Sequence, residues 1–198
     1  MKGYLSFIAG SSAIIIYIVF ALISFSQFQE VISPAQNWLS DLGSTHLNPD
    51  GAIFYNIGII LTGLCLIVFF IGLRVWAIAG NKAQKIQLML TQGFGVAGSA
   101  AMGMSSIFPI TSGTTHSFWS AALYILLGTA FALSLAALRY HAQLPRWVLA
   151  AGLVVVIVNF TWCVVLNIFP LEWLTVALFL AYVGVLSVET RRTFASVG

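Results

Sequence analysis

A chain of 198 residues that is 60% hydrophobic and only 7% charged, with a mean hydropathy of +1.01, is too apolar to persist as a water-soluble monomer. Its net charge of +3 and pI near 9.1 do not signal nucleic acid, because the basic residues are scattered and form no stripe with interleaved aromatics. The composition is that of a membrane protein, best counted in spans of roughly 20 residues.

Six apolar runs follow one another, at about 4–25, 53–78, 87–108, 117–139, 147–168 and 171–188. The first is longer than the apolar core of a signal peptide and no small-x-small cleavage site follows, so it reads as a retained span. The connection 26–52 is the longest, and Ser33-Pro34-Ala35-Gln36 carries a capping-box start within it. With Gly43 as the stop, this predicts a short interfacial helix over 34–42, with Trp38, Leu39 and Leu42 on an apolar face and Asn37 and Asp41 on a polar one. Asn48-Pro49-Asp50-Gly51 then reads as a turn into the second run. In the third run Gly95, Ser99 and Gly103 form a small-xxx-small ridge, which lets helix backbones approach closely. Pro109, Gly113 and Thr115 separate the third run from the fourth, and a tight turn around Pro170 separates the last two. The triplet Ile-Phe-Pro recurs at 107–109 and 168–170, a faint echo compatible with repeated helical hairpins. The expected fold is all-α: a polytopic membrane protein, one domain over 1–198, with six transmembrane helices and the interfacial helix.

Charge is segregated along this plan. Lys2, Arg74, Lys82, Lys85, Arg139, Arg146, Arg191 and Arg192 fall at the termini and two short connections, with Glu189 among them; Glu30, Asp41, Asp50 and Glu172 occupy the opposite loops. Positive residues resist translocation, so the expected site is a cytoplasmic (inner) membrane with both termini cytoplasmic and the acidic loops outside. Trp38, Trp76, Trp119, Trp147 and Trp173 lie near run boundaries, as an aromatic belt requires, whereas Trp162 is deeper. Cys65 and Cys163 sit inside apolar runs with no metal-type spacing and read as packing residues.

The outer loops hold the chemistry available. Ser40, Asp41, His46 and Asp50 lie in the first, His116 follows the second, Glu172 opens the last span, and Asn56 lies near the outer end of the second. These are the candidate ligand-binding residues. Asp41 and His116 are the candidate catalytic pair. Asp41, His46, Asp50 and His116 are the candidate ligands of a divalent metal such as Zn²⁺, two carboxylates and two histidines being an acceptable donor set. The plain alternative is that these residues cap helices, form turns or meet water, and neither H-E-x-x-H nor G-x-S-x-G occurs. Within the runs the deep polar groups are Asn159, Gln92, Thr62 and Thr161, and Asn159 and Gln92 are expected to hydrogen-bond between helices. The lack of mid-depth charge disfavours a proton-coupled pump.

Asn37-Trp38-Leu39-Ser40-Asp41-Leu42-Gly43 with Asn56-Ile57-Gly58, then Gly103-Met104-Ser105-Ser106-Ile107-Phe108-Pro109 with His116, and Pro170-Leu171-Glu172-Trp173 resemble the small prokaryotic membrane family named domain of unknown function 998. The likeness spans nearly the whole chain. It implies a compact six-helix protein of a bacterium or archaeon whose recurring polar positions map to Ser40, Asp41, Asn56 and His116. A looser likeness to the Frag1/DRAM/Sfk1 group of six-span proteins implies a link to lipid handling at the level of fold. Three expectations follow: binding of a lipid or other amphiphile at an outward polar mouth; a metal- or acid/base-assisted lipid hydrolase or transferase using the same residues; or a structural subunit of a membrane complex. The partners implied are membrane lipids, with a membrane protein or a second copy of the chain as further candidates.

Overall fold

Runs of apolar residues without charge favour unbroken helices in hydrocarbon, because every backbone N–H and C=O must find its partner within the chain. The computed structural model describes residues 3–194, and no strand occurs among the described residues. Six long helices follow in order: α1 (Tyr4–Ser26), α2 (Ala52–Gly72), α3 (Lys82–Ile107), α4 (Thr114–Leu138), α5 (Arg146–Phe160) and α6 (Phe169–Phe194). α2 tightens into a 3-10 turn at Leu73–Trp76, and α5 widens into a π-helical turn at Thr161–Val165. Each helix packs on its neighbours in sequence and α6 also packs on α1, so the six close into an up-and-down ring.

The ring has two unlike ends. One carries the loop 27–51 and the connections 108–113 and 166–168; here lie Glu30, Asp41, Asp50 and Glu172. The other carries Arg74, Lys82, Lys85, Arg139, Arg146, Arg191 and Arg192 at helix ends, while Lys2 lies outside the described residues. The charge segregation read from sequence is therefore a property of the fold.

Five of the helices are long and apolar enough to cross a membrane: α1, α2 with its 3-10 turn, α4, α5 with its π turn, and α6. α3 is long but too polar by that measure, with Lys82, Gln84, Lys85, Gln87 and Gln92 toward its start and many Gly and Ser beyond. Its small residues serve packing: a side chain at Gly95 would run into the Phe70 ring of α2, and Gly63 of α2 lies against the Ser99 carbonyl. A side chain at Gly103, the third member of the predicted ridge, would meet nothing within 4 Å. Gln92 donates to the Ile71 carbonyl (2.8 Å) and Asn159 to the Tyr124 carbonyl (3.1 Å), the interhelical bonds expected of them.

The predicted interfacial helix over 34–42 does not form. Residues 33–37 make a single turn, Trp38 is extended, and a 3-10 segment runs from Leu39 to Gly43. The donors a helix would use are taken elsewhere. Asn37 Oδ1 accepts the Ser33 N–H (3.0 Å), Asp41 Oδ2 accepts the Trp38 N–H (2.9 Å), and the Leu39 N–H goes to Glu172 of α6 (2.8 Å). Asn and Asp compete with helical bonding in this way, and here a distant carboxylate joins them.

The basic end is solid. Trp76 is 0% exposed, and its indole N–H donates to Thr190 Oγ1 (2.9 Å). Its carbonyl accepts from Gln84 Nε2 (2.9 Å) and His141 Nε2 (2.7 Å), while Gln84 Oε1 takes the Ile78 N–H. The rings of His141 and Phe194 meet Trp76 edge-on at 4.9 and 4.8 Å. Trp76 is thus no belt residue but the centre of a plug that joins α2, α3, α4 and α6.

Candidate functional site

The mouth end is organised by a loop that is tied down rather than loose. Asn48 is fully buried and donates to the Ser24 carbonyl, Ser24 Oγ and the Leu42 carbonyl, while its Oδ1 accepts the Gly51 N–H. Ser24 Oγ donates to the same Leu42 carbonyl (3.0 Å), and Asn56 Nδ2 to the Gly43 carbonyl (3.0 Å). Gly51 and Gly43 are needed for closeness, since a β-carbon at either would overlap Asn48 or Asn56. The 3-10 segment is thereby held across the ring beside α1 and α2.

Glu172, in the first turn of α6, reaches under this segment. It is 4% exposed, its Oε2 accepts the Leu39 N–H, and Ser40 offers its hydroxyl and N–H to the same carboxylate. Trp38 stacks edge-on against Phe169 (4.4 Å), and Trp173 Nε1 donates to the Asn37 carbonyl (2.9 Å), so the start of α6 and the loop are one unit. Asp41 faces its own turn. Burial pushes its carboxyl above the usual range, offset in part by the Trp38 N–H, by Asn37 and by the charge of nearby His116.

His116 stands in the first turn of α4. Its Nδ1 lies 2.9 Å from the carbonyls of Ser105 and Phe108 at the end of α3. Both partners are acceptors, so Nδ1 carries the proton, and in the neutral ring Nε2 keeps its lone pair.

Below the mouth runs a central cavity of about 70 Å³. Its outer wall is polar: Ser40, Asn56, Ser105, His116, Ser120 and Glu172. Further in, the wall becomes Ile59, Leu66, Leu127, Phe131 and Val183, down to Phe70. Along α2, Asn56 to Phe70 spans about 21 Å at 1.5 Å per residue. A second cavity of about 250 Å³ opens between α4 and the π turn, lined by Trp38, Trp162, Cys163 and Asn167. It shares Ser40, His116, Ser120 and Glu172 with the central one and forms its vestibule. An apolar groove of about 240 Å³ between α1 and α6 shares Tyr17, Val176 and Leu180 with it.

One buried group on these walls lacks a partner among the described residues: the Trp162 indole N–H in the vestibule. The orphan donor sits in the π turn, a distortion frequent at functional sites.

Of the predicted site residues, Ser40, Asn56, His116 and Glu172 meet at the cavity. Asp41 is adjacent but bonded into its own turn, so the carboxylate that shares the cavity with His116 is Glu172. His46 and Asp50 are exposed and line neither cavity, and Asp50 accepts from Gln29 (3.3 Å). Among the described residues no three or more His, Cys, Asp or Glu are grouped to hold a metal ion, so the quartet Asp41, His46, Asp50 and His116 does not assemble. Sequence reading passed over Ser120 and Tyr124, although with His116 they stand at i, i+4 and i+8 on one face of α4, a visible signal. Tyr17, Tyr55 and Trp162 had no such signal, because their spans are apolar all round.

A family model described as a protein of unknown function (DUF998) matches residues 11–190. No curated protein and no solved structure matches the chain.

Proposed function

The chain belongs to the DUF998 family, and we propose that it is a six-span membrane protein that binds a single-chain amphiphile in its central cavity, head group at the mouth and chain inside. The polarity of the cavity carries this reading. Hydrogen-bonding groups ring one end, aliphatic and aromatic side chains line the rest, and a ligand with the same two halves satisfies both. The groove between α1 and α6 supplies an apolar approach from the bilayer. α3 serves as the sixth span: it packs between α2 and α4 and buries Gln84, Thr91, Gly95, Ser99, Ser105 and Ser106, while Lys82 and Lys85 stay exposed at its basic end. The basic end faces the cytoplasm and the mouth faces outward, by the bias against translocating Lys and Arg.

The test is a blocked cavity. Val176 lines both the cavity and the groove. In nanodiscs, dodecanol binding to the native protein is saturable above empty discs, and Val176→Phe weakens it by about tenfold. Equal binding by both proteins sinks the proposal.

A second reading has one observation in its favour, the clamped His116. With Nδ1 held by two carbonyls, Nε2 is left free to act as a general base on the wall of the cavity that Glu172 also lines. Acid/base hydrolysis or transfer on the bound head group then depends on His116. Turnover of an ester-bearing amphiphile that is unchanged in His116→Gln rules this reading out.

A further inference from the structure

The proposed amphiphile site also specifies its head group, and this inference rests on that reading. Three facts about charge and bonding bear on it. First, Glu172 is 4% exposed on the wall of both cavities and has no cationic partner: the one ion pair among the described residues is Arg192–Glu189, at the far end. A buried carboxylate without a counter-charge is costly, and a ligand cation removes that cost. Second, every described Lys and Arg lies at the basic end, so no ammonium or guanidinium faces the cavities, and a phosphate or sulfate there would meet the Glu172 carboxylate with His116 as the one basic side chain on the wall. Third, the Trp162 N–H, on a side chain only 6% exposed, is a donor with no acceptor on the vestibule wall. It calls for an oxygen on the ligand. Trp38 lines the same vestibule, and an indole ring attracts cations.

We infer that the mouth recognises an amine-bearing amphiphile, an ammonium group facing Glu172 and a neighbouring hydroxyl or carbonyl oxygen facing Trp162. The carboxylate sets the sign of charge; the indole sets the position of the oxygen. Ser40 and Ser120, on the same walls, complete the ammonium's hydrogen bonds.

Four probes of one chain length test it in nanodiscs: dodecylamine, 2-amino-1-dodecanol, dodecanol and dodecyl phosphate, each corrected for binding to empty discs. The expected order places 2-amino-1-dodecanol first, then dodecylamine, with dodecanol about tenfold weaker than the amine and dodecyl phosphate weakest. Glu172→Gln keeps an oxygen for the Leu39 N–H and brings dodecylamine down to the level of dodecanol. Trp162→Phe keeps the ring against Tyr124 (4.2 Å) and weakens 2-amino-1-dodecanol while leaving dodecylamine unchanged. Equal binding of amine and alcohol, or preference for the phosphate, overturns the head-group assignment while the amphiphile reading stands. Binding of none of the four overturns both. Loss of both amines in Trp162→Phe removes the role given to the oxygen.

Discussion

The two ends of the ring each bury a glutamate, yet they treat it differently. At the basic end Glu189 is paired with Arg192 (2.9 Å), beside a plug in which the Trp76 N–H and carbonyl, Gln84 and His141 are all bonded. At the mouth Glu172 has backbone and hydroxyl donors but no cation, and the space beside it is open. Buried polar groups that are fully bonded make a rigid structure, while a buried carboxylate without a counter-charge beside open space leaves a bonding demand unmet. One end therefore ties the helices together, and the other is where the proposed ligand would sit.

The contrast breaks first at Trp76. Trp76→Ala is expected to cost about 3–5 kcal/mol, the range for removing a fully buried aromatic, as read from unfolding in detergent. A loss below about 1 kcal/mol would mean that the plug is not the stabilising end. Glu172→Ala comes next, at about 1–3 kcal/mol, because it leaves the Leu39 N–H buried without an acceptor. Hydrogen exchange is expected to accelerate at Leu39 and Ser40 and to stay unchanged at Trp76 and Gln84. Acceleration at both ends would show that they are not separate units.

Ser120→Leu sharpens the division. Ser120 lines both vestibule and cavity and its hydroxyl makes no hydrogen bond among the described residues, so stability should shift by less than about 0.5 kcal/mol while dodecanol binding falls severalfold. A variant that loses stability but not binding would assign Ser120 to packing.

The smallest effect concerns pH. Burial raises the Asp41 carboxyl above its unfolded value, so its contribution favours folding while it is protonated. That contribution is fully present below the unfolded value, near pH 3.9, and is lost as pH rises through the higher folded value. Asp41→Asn should flatten this part of the stability profile on titration upward from pH 3.9; an unchanged slope would show that Asp41 does not contribute.

Part of the lining of the candidate site was legible one residue at a time. Ser40, Asn56, His116 and Glu172 were picked out as outer polar groups, and the cavity contains all four. Their roles were not legible. Asp41 was paired with His116 because both are strong acid/base types, but a local N–H claims Asp41 and the cavity partner comes from a helix 131 positions further on in sequence. Asn48 reads as a turn residue and is one, its Oδ1 accepting the Gly51 N–H, and only the approach of α1 and the 3-10 segment adds the three bonds that make it a buried anchor.

By itself the sequence determined the helices, their approximate limits and the separation of charge between two ends. Those follow from hydropathy and backbone bonding, which depend on neighbours along the chain. The closure of α6 on α1, the 3-10 segment in place of the helix at 34–42, and the cavity were decided by tertiary structure. Each depends on which donor a distant residue reaches first. Leu39 offers the same N–H in any conformation; Glu172 of α6 is the acceptor that the folded ring brings to it.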